Sequence, residues 1–397
     1  MRIGRTAAAA VALLLGAAPA GAAELLGPPI FIDALPGFGA ITTQAVEGAD
    51  GELALVFAED LTGDGDAETI YRQIIGKRGP QGGRALVFQS SGPDTRPVTA
   101  MLAGALPLAD GATLAGYVTR VGDAPVSGLY GRMIYDRDVA GGEVDFRGGA
   151  LDATGGFLLP LAKRGLVVAT RQNFSKRLTG YGALRFVKGS GKIGPVKGEL
   201  SRKSTQIAEA TRYRDGFIVR YVNPDRKFPR FVKAQIYNAE GKKTGPEVTI
   251  EPPPGSDAAD QTRVLGLADG SIVVLRQTVS FGTEEVSAEV FNGDWSLKQE
   301  RAVIAEIPSS EAYVTAALPV GGFVVAFPVL NRQNSNIGFE TRRFGADLKP
   351  AGRPLRVELE GGARNLAIVG RMQGDAFVTY TTLLSSQTVL YGQFIIP

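Results

Sequence analysis

The stretch Leu267-Ala268-Asp269-Gly270-Ser271-Ile272-Val273-Val274-Leu275-Arg276 joins an Asp-Gly turn signal to a run of aliphatic and β-branched residues. Gly after Asp supplies left-handed backbone for a tight turn, and the run behind it suits a short buried strand. The combination recurs along the chain. It stands as D-G-E-L-A-L-V-F from Asp50, D-G-A-T-L-A-G-Y from Asp110, R-G-L-V-V-A-T from Arg164 and D-G-F-I-V-R-Y from Asp215. After the Asp269 copy it returns as G-G-F-V-V-A-F from Gly321 and Q-G-D-A-F-V-T-Y from Gln373. The marker glycines are Gly51, Gly111, Gly165, Gly216, Gly270, Gly322 and Gly374, at intervals of 60, 54, 51, 54, 52 and 52 residues.

A second strand signal of alternating aromatic and polar residues follows each marker by about fifteen to twenty residues. Its copies are I-Y-R-Q-I at Ile70, L-Y-G-R-M-I-Y at Leu129, Y-G-A-L-R-F at Tyr181, V-K-A-Q-I-Y at Val232, S-A-E-V-F at Ser287, F-E-T-R-R-F at Phe339 and L-Y-G-Q-F at Leu390. Most are followed by a Gly-containing turn and a further extended segment, such as G-P-E-V-T-I-E from Gly245. Loops repeat too: Arg171-Gln172-Asn173 and Arg332-Gln333-Asn334 follow the marker strand in two units. Repeats of about 40 to 50 residues, each with about four strands, are the mark of a β-propeller. One such sheet cannot bury its faces alone, so its neighbours must stack on it. The last unit stops at Phe394-Ile395-Ile396-Pro397, after its third strand, and P-P-I-F-I-D-A-L from Pro28 is free to complete it. The expectation is an all-β fold: a seven-bladed β-propeller of four-stranded antiparallel blades, a single domain over 24–397, closed by an N-terminal strand. Paired sandwiches would need no constant repeat, and a β-helix rung is much shorter.

The pattern L-A-D-G-x-x-V-V, then a polar loop, then aromatic-polar alternation ending in Phe or Tyr, resembles divergent repeats of exported bacterial β-propeller proteins. The resemblance spans the chain after its leader. The units lack the Trp-Asp pair of WD40 blades, the S-x-D-x-G-x-T-W box of sialidase-like propellers and the Trp-rich signature of quinoprotein propellers. The resemblance therefore implies a fold and carries over no activity. Trp295, the sole Trp, reads as a packing residue beside a turn, and Tyr213 as a half-buried residue beginning a strand.

The 397 residues are 44% hydrophobic and 21% charged, with no Cys and no His. These zeros exclude disulfides, a lipid-modified Cys, thiolate nucleophiles, Zn–thiolate sites, a Ser-His-Asp triad and His-ligated metals. The N-terminus reads M-R-I-G-R, then an apolar stretch from Ala7 to Gly16, then A-A-P-A-G-A-A up to Ala23. That is the layout of a removable signal peptide over 1–23. Its apolar run is about half the ~20 residues a bilayer core requires, so no transmembrane anchor is expected. Arg2 and Arg5 are not adjacent, which argues against twin-arginine export. The expected location is periplasmic or secreted.

A formal net charge of +3 conceals an uneven distribution: −9 over 24–162, +15 over 163–243 and −5 from 244 onward. Two basic loops dominate the middle sector, R-Q-N-F-S-K-R from Arg171 and N-P-D-R-K-F-P-R from Asn223. In a propeller both emerge on one face, so Arg171, Lys176, Arg177, Arg226, Lys227 and Arg230 are the candidate ligand-binding residues, with Phe174 and Phe228 as apolar contacts. Such a surface suits an anionic macromolecule or envelope component: an acidic glycan, lipid headgroups or an acidic protein face. Solvated loop tips that aid solubility are the plainer reading. Export makes nucleic acid a poor partner, and nothing calls for more than a monomer. Asp60, Asp64, Asp66 and Glu68 in D-L-T-G-D-G-D-A-E place oxygen ligands at alternate positions around glycines, as a calcium loop does. The string is similar to calcium loops of integrin-type propeller repeats, departing from them at Thr62, where Asn or Asp is usual, and at Tyr71, where the distant bidentate Glu of an EF-hand would lie; a metal-free polar hairpin tip explains it equally well.

No other cofactor is indicated, and no catalytic residue can be named. G-S-G-K from Gly189 lacks the first Gly and the hydroxyl of a phosphate loop, and no carboxylate pair stands out by spacing. The leading expectation is an exported, non-catalytic binding or scaffold propeller that presents a basic face. The alternative is a hydrolase or lyase acting on an acidic polysaccharide in the central cleft.

Overall fold

A computed structural model of the chain describes residues 24–396 apart from 36–38, 49, 62–66, 91–97, 122–126, 136–138, 147–154, 174–178, 200–201, 204–205, 223–231, 251–261, 281–282, 309–312 and 385–386. Residues 1–23, the expected signal peptide, lie outside the described residues. The marker stretch forms a hairpin. Leu267 N donates to Ser271 O (2.9 Å) and Gly270 N to Leu267 O (3.0 Å), with Gly270 at φ 81°. The Asp269 carboxylate accepts from Ser271 N (2.9 Å), which explains why Asp precedes Gly. The same pair of backbone bonds closes Gly48–Glu52, Leu108–Ala112, Leu318–Gly322 and Arg371–Asp375. In blade 4 the loop is only Arg214-Asp215, and Gly216 is required for another reason: a Cβ there would lie 2.1 Å from the Tyr237 carbonyl oxygen.

Each marker hairpin joins the first strand of a blade to its second. The strands form seven antiparallel sheets, and among the described residues every regular element is a strand. Blade 1 comprises Gly39–Glu47, Leu53–Asp60, Thr69–Gly76 and Gly79–Gln89. Blades 2 and 3 follow over 98–145 and 155–203. Blade 4 comprises Gln206–Tyr213, Gly216–Val222, Val232–Tyr237 and Lys243–Ile250; blade 5 comprises Arg263–Gly266, Ile272–Ser280, Thr283–Phe291 and Leu297–Pro308. Blade 6 covers 314–358. First strands touch their neighbours around the whole circle, including Arg364–Gly370 of blade 7 against Gly39–Glu47 of blade 1, so the ring is closed and its first strands line the axis.

Among the described residues, seven hydrophobic clusters fill the seven seams between blades. Second strands serve two seams at once. In blade 1, Leu53, Leu55 and Phe57 face blade 7, whereas Ala54, Val56 and Ala58 face blade 2. Burial on both sides explains why marker runs read as continuous hydrophobic stretches instead of alternating ones.

Blade 7 is completed by the chain's other end. Ile30–Leu35 pairs antiparallel with Gln387–Ile396, from Ile30 opposite Gly392 to Leu35 opposite Thr388, and Glu24–Leu25 pairs with Ile396 and Ile395. Gln393 Nε2 donates to Gly27 O at 3.0 Å. The equivalent Gln73 and Gln235 donate to Gln81 O (3.1 Å) and Gly245 O (3.3 Å) in the fourth strands of their own blades. The N-terminal segment thus occupies the fourth-strand place in bonding as well as in position. Two sequence details differ from expectation. Tyr213 ends a strand and is buried, its hydroxyl donating to Gly270 O (2.7 Å). Arg332-Gln333-Asn334 lies in the tight turn Asn331–Ser335, whereas Arg171–Asn173 finishes a strand.

Candidate anion site

Alternation along a strand sends successive side chains into opposite seams. In the second strand of blade 4, Phe217, Val219 and Tyr221 face blade 3, so Ile218 and Arg220 face blade 5. In the second strand of blade 5, Ile272 and Val274 face blade 4, and Arg276 follows them. Two buried guanidinium groups thereby enter one seam. A buried cation needs a carboxylate across its sheet. Arg220 Nε donates to Glu209 Oε2 at 3.1 Å, and Arg276 Nη1 to Glu289 Oε2 at 2.6 Å; Arg301 Nε shares Glu289 through Oε1 at 3.0 Å. Burial draws both buried arginines below the ordinary guanidinium range, and their carboxylates oppose it.

Tyr313, which directly precedes the first strand of blade 6, is buried in the adjoining seam between blades 5 and 6, within electrostatic reach of these groups. Burial pushes its phenol well above the ordinary tyrosine value; Arg263, Arg220 and Arg276 pull the other way, and Glu209 adds to the rise. The phenol is therefore neutral and can donate a hydrogen bond. Arg263 opens the first strand of blade 5, and Glu209 lies near the start of that of blade 4. The cluster hence sits at the end of the ring where first strands begin and second strands finish. A β-bulge between Ile207 and Glu209 sets the Glu209 carboxylate opposite Arg220. Guanidinium and phenol groups are donor types that suit carboxylate, sulfate or phosphate oxygens, and here Glu209 and Glu289 already hold Arg220 and Arg276.

Of the residues singled out from sequence, Arg171 is placed only by its backbone, opposite Tyr181 in Gly165–Asn173. Lys176, Arg177, Arg226, Lys227 and Arg230 lie outside the described residues. The strand ends that bracket their loops, Asn173 with Thr179 and Val222 with Val232, are at the same end of the blades as the Arg220 cluster. Asp64 and Asp66 also lie outside the described residues. Asp60 is buried, and Glu68 Oε2 accepts from Leu61 N at 2.6 Å. Among the described residues no group of three or more acids is arranged to hold a metal ion. Sequence reading missed Arg220, Arg276 and Tyr313, although D-G-F-I-V-R-Y and D-G-S-I-V-V-L-R carry an Arg in strands that are otherwise apolar.

No known family model and no curated protein sequence matches the chain. Solved structures do resemble it. A structure of NanB with Optactamide superposes with a TM-score of 0.52 at 11% identity, over 93% of this chain and 70% of that one. A protein of unknown function from Dyadobacter fermentans gives 0.48 at 12% identity over 94% and 98%. The α-L-arabinofuranosidase Arb93A from Fusarium graminearum, bound to an iminosugar inhibitor, gives 0.45 at 10% identity over 94% and 98%. At such identities the likeness is one of fold, and the chain is a divergent seven-bladed β-propeller.

Proposed function

We propose that this chain is an exported, non-catalytic propeller that binds an acidic glycan where its first strands begin. Arg220, Arg263, Arg276 and Tyr313 are the core of the proposed site, and the sequence-derived loop cations Arg171, Lys176, Arg177, Arg226, Lys227 and Arg230 are proposed to add positive charge to the same ligand. The observation that carries this reading is that two buried arginines, Arg220 and Arg276, enter one seam, and that their charges and that of Arg263 are felt at one buried phenol of a third blade. Guanidinium groups set this deep suit an anionic group borne on a slim chain, better than a flat bilayer or a broad protein face. Affinity rests on charge, so it falls as salt rises.

The test is calorimetric titration with polygalacturonate, backed by retention on a sulfated matrix, each at low and high salt. Arg263→Gln is expected to weaken binding by about tenfold. Reversing charge at Arg171, Arg177, Arg226 and Arg230 together should abolish retention at moderate salt; retention unchanged in both variants overturns the reading. The same incubations test for hydrolysis or elimination on the polysaccharide, a second reading that the neighbouring Glu209 carboxylate and Tyr313 phenol support. New reducing ends or unsaturated termini would establish it. A phenol held neutral by burial is suited to donating a proton, and poorly suited to attack as a phenolate.

A further inference from the structure

The two carboxylates of the site differ. Glu289 is enclosed and doubly held, 2.6 Å from Arg276 Nη1 and 3.0 Å from Arg301 Nε, with 16% of its side chain exposed. Glu209 keeps 34% of its side chain exposed while its partner Arg220 keeps 5%, and its Oε2 lies 3.1 Å from Arg220 Nε. It also stands on the innermost strand, just past the bulge that turns it toward Arg220. We infer that Glu209 is a resident competitor: it occupies Arg220 when no ligand is bound and yields that guanidinium to the anionic group of the ligand. This inference rests on the acidic-glycan reading given above.

Exchange at this position leaves no buried charge without a counter-ion. The incoming anion takes over Arg220, and Glu209 passes to the water it already touches. Displacing Glu289 would strand a carboxylate between blades, at the cost that attends any uncompensated buried charge. Glu209 therefore sets the affinity of the site, weakening it for every anion and excluding those that cannot replace a carboxylate at Arg220.

The experiment is titration of wild-type protein, Glu209→Gln and Glu240→Gln with polygalacturonate at low salt. Glu240 lies on the opposite face, in a turn between third and fourth strands, so Glu240→Gln repeats the change in net charge away from the site. Glu209→Gln is expected to bind roughly three- to tenfold more tightly than wild type, with Glu240→Gln unchanged. A role confined to holding the fold would give no gain. Glu209→Asp, which withdraws the carboxylate by one methylene, should show a smaller gain and serves if the Gln variant does not fold. Binding by wild type with no gain in either Glu209 variant overturns this inference alone. If neither wild type nor the Glu209 variants bind, the site reading falls and this inference falls with it.

Discussion

Trp295 stands where glycine stands in the equivalent turns of blades 3 and 4. Gly191 and Gly241 hold the left-handed position there, at φ 79° each, and Trp295 holds it in Asn292–Ser296 at φ 66°. Left-handed backbone costs a side-chain-bearing residue roughly 1–2 kcal/mol. The offset is contact: the indole lies 5.9 Å from the Phe291 ring and packs against the cluster between blades 4 and 5. Leu348, at φ 59° in blade 6, plugs the adjoining seam in the same way. Trp295→Gly relieves the backbone and loses the packing of a half-buried aromatic. The expected result is a net loss of about 1 kcal/mol in urea unfolding followed by far-UV circular dichroism. Unchanged stability would show that the plug contributes nothing. The sequence supports a packing residue beside a turn, but that Trp295 itself holds the left-handed position of that turn was not legible, because glycine usually marks it.

The closing strand Ile30–Leu35 is also held by charge. Arg84 of the fourth strand of blade 1 reaches Asp33 Oδ2 at 2.7 Å and Glu59 Oε1 at 3.0 Å, with its guanidinium 4.2 Å from the centre of the Tyr71 ring. Burial raises the Glu59 carboxyl above its ordinary value of 4.5; Arg84 and Thr69 oppose the rise, and Asp33 adds to it. A carboxyl raised in the folded state keeps a proton that the unfolded chain has released. Between the two pKa values folding takes up a proton, so stability contributed by this group is present below the unfolded value and lost as pH rises through the folded one. Glu59→Gln removes that dependence while leaving Asp33 to pair with Arg84. In urea titrations near pH 4 and near pH 7, the variant should gain on wild type at the higher pH; equal slopes would refute the assignment. Strands were legible wherever a turn signal met a two-sided apolar run, as at Leu53–Asp60. The candidate site was not, since Glu209, Arg220, Arg263, Arg276 and Tyr313 come from three blades and no local spacing links them. The one available signal was chemical: an Arg inside a strand buried on both faces needs a partner on its sheet or the next.

At the scale of the molecule, the ring is stitched along the face opposite the candidate site. Marker hairpins reach the next blade: Ala109 N donates to Gly189 O (2.9 Å), Arg164 meets Glu240 at 4.0 Å, and Tyr213 bonds to Gly270. Arg371 joins blade 7 to blade 1, donating to Gly51 O at 2.8 Å and to Asp375 Oδ2 at 2.6 Å. The seven-fold layout was legible from the near-constant interval and from a last unit one strand short, because a repeat that cannot bury its own faces has to close on itself. What remains local to blade 7 is the break in the chain. Glu24 lies opposite Ile396, so a short turn could join the C-terminus to the closing strand as an ordinary hairpin. A permuted chain running Gly39–Pro397, a short turn, then Glu24–Leu35 keeps every pairing of the ring. It should unfold in urea within about 1 kcal/mol of wild type, since only loop closure changes. Deleting Glu24–Leu35 outright removes Ile30, Ile32 and Leu35 from the seam between blades 7 and 1. At about 2 kcal/mol for each buried side chain, that loss consumes most of a domain's stability and should leave the chain open to proteolysis. A permutant that fails to fold, or a deletion that resists protease as wild type does, would show that the N-terminal strand does not close the ring.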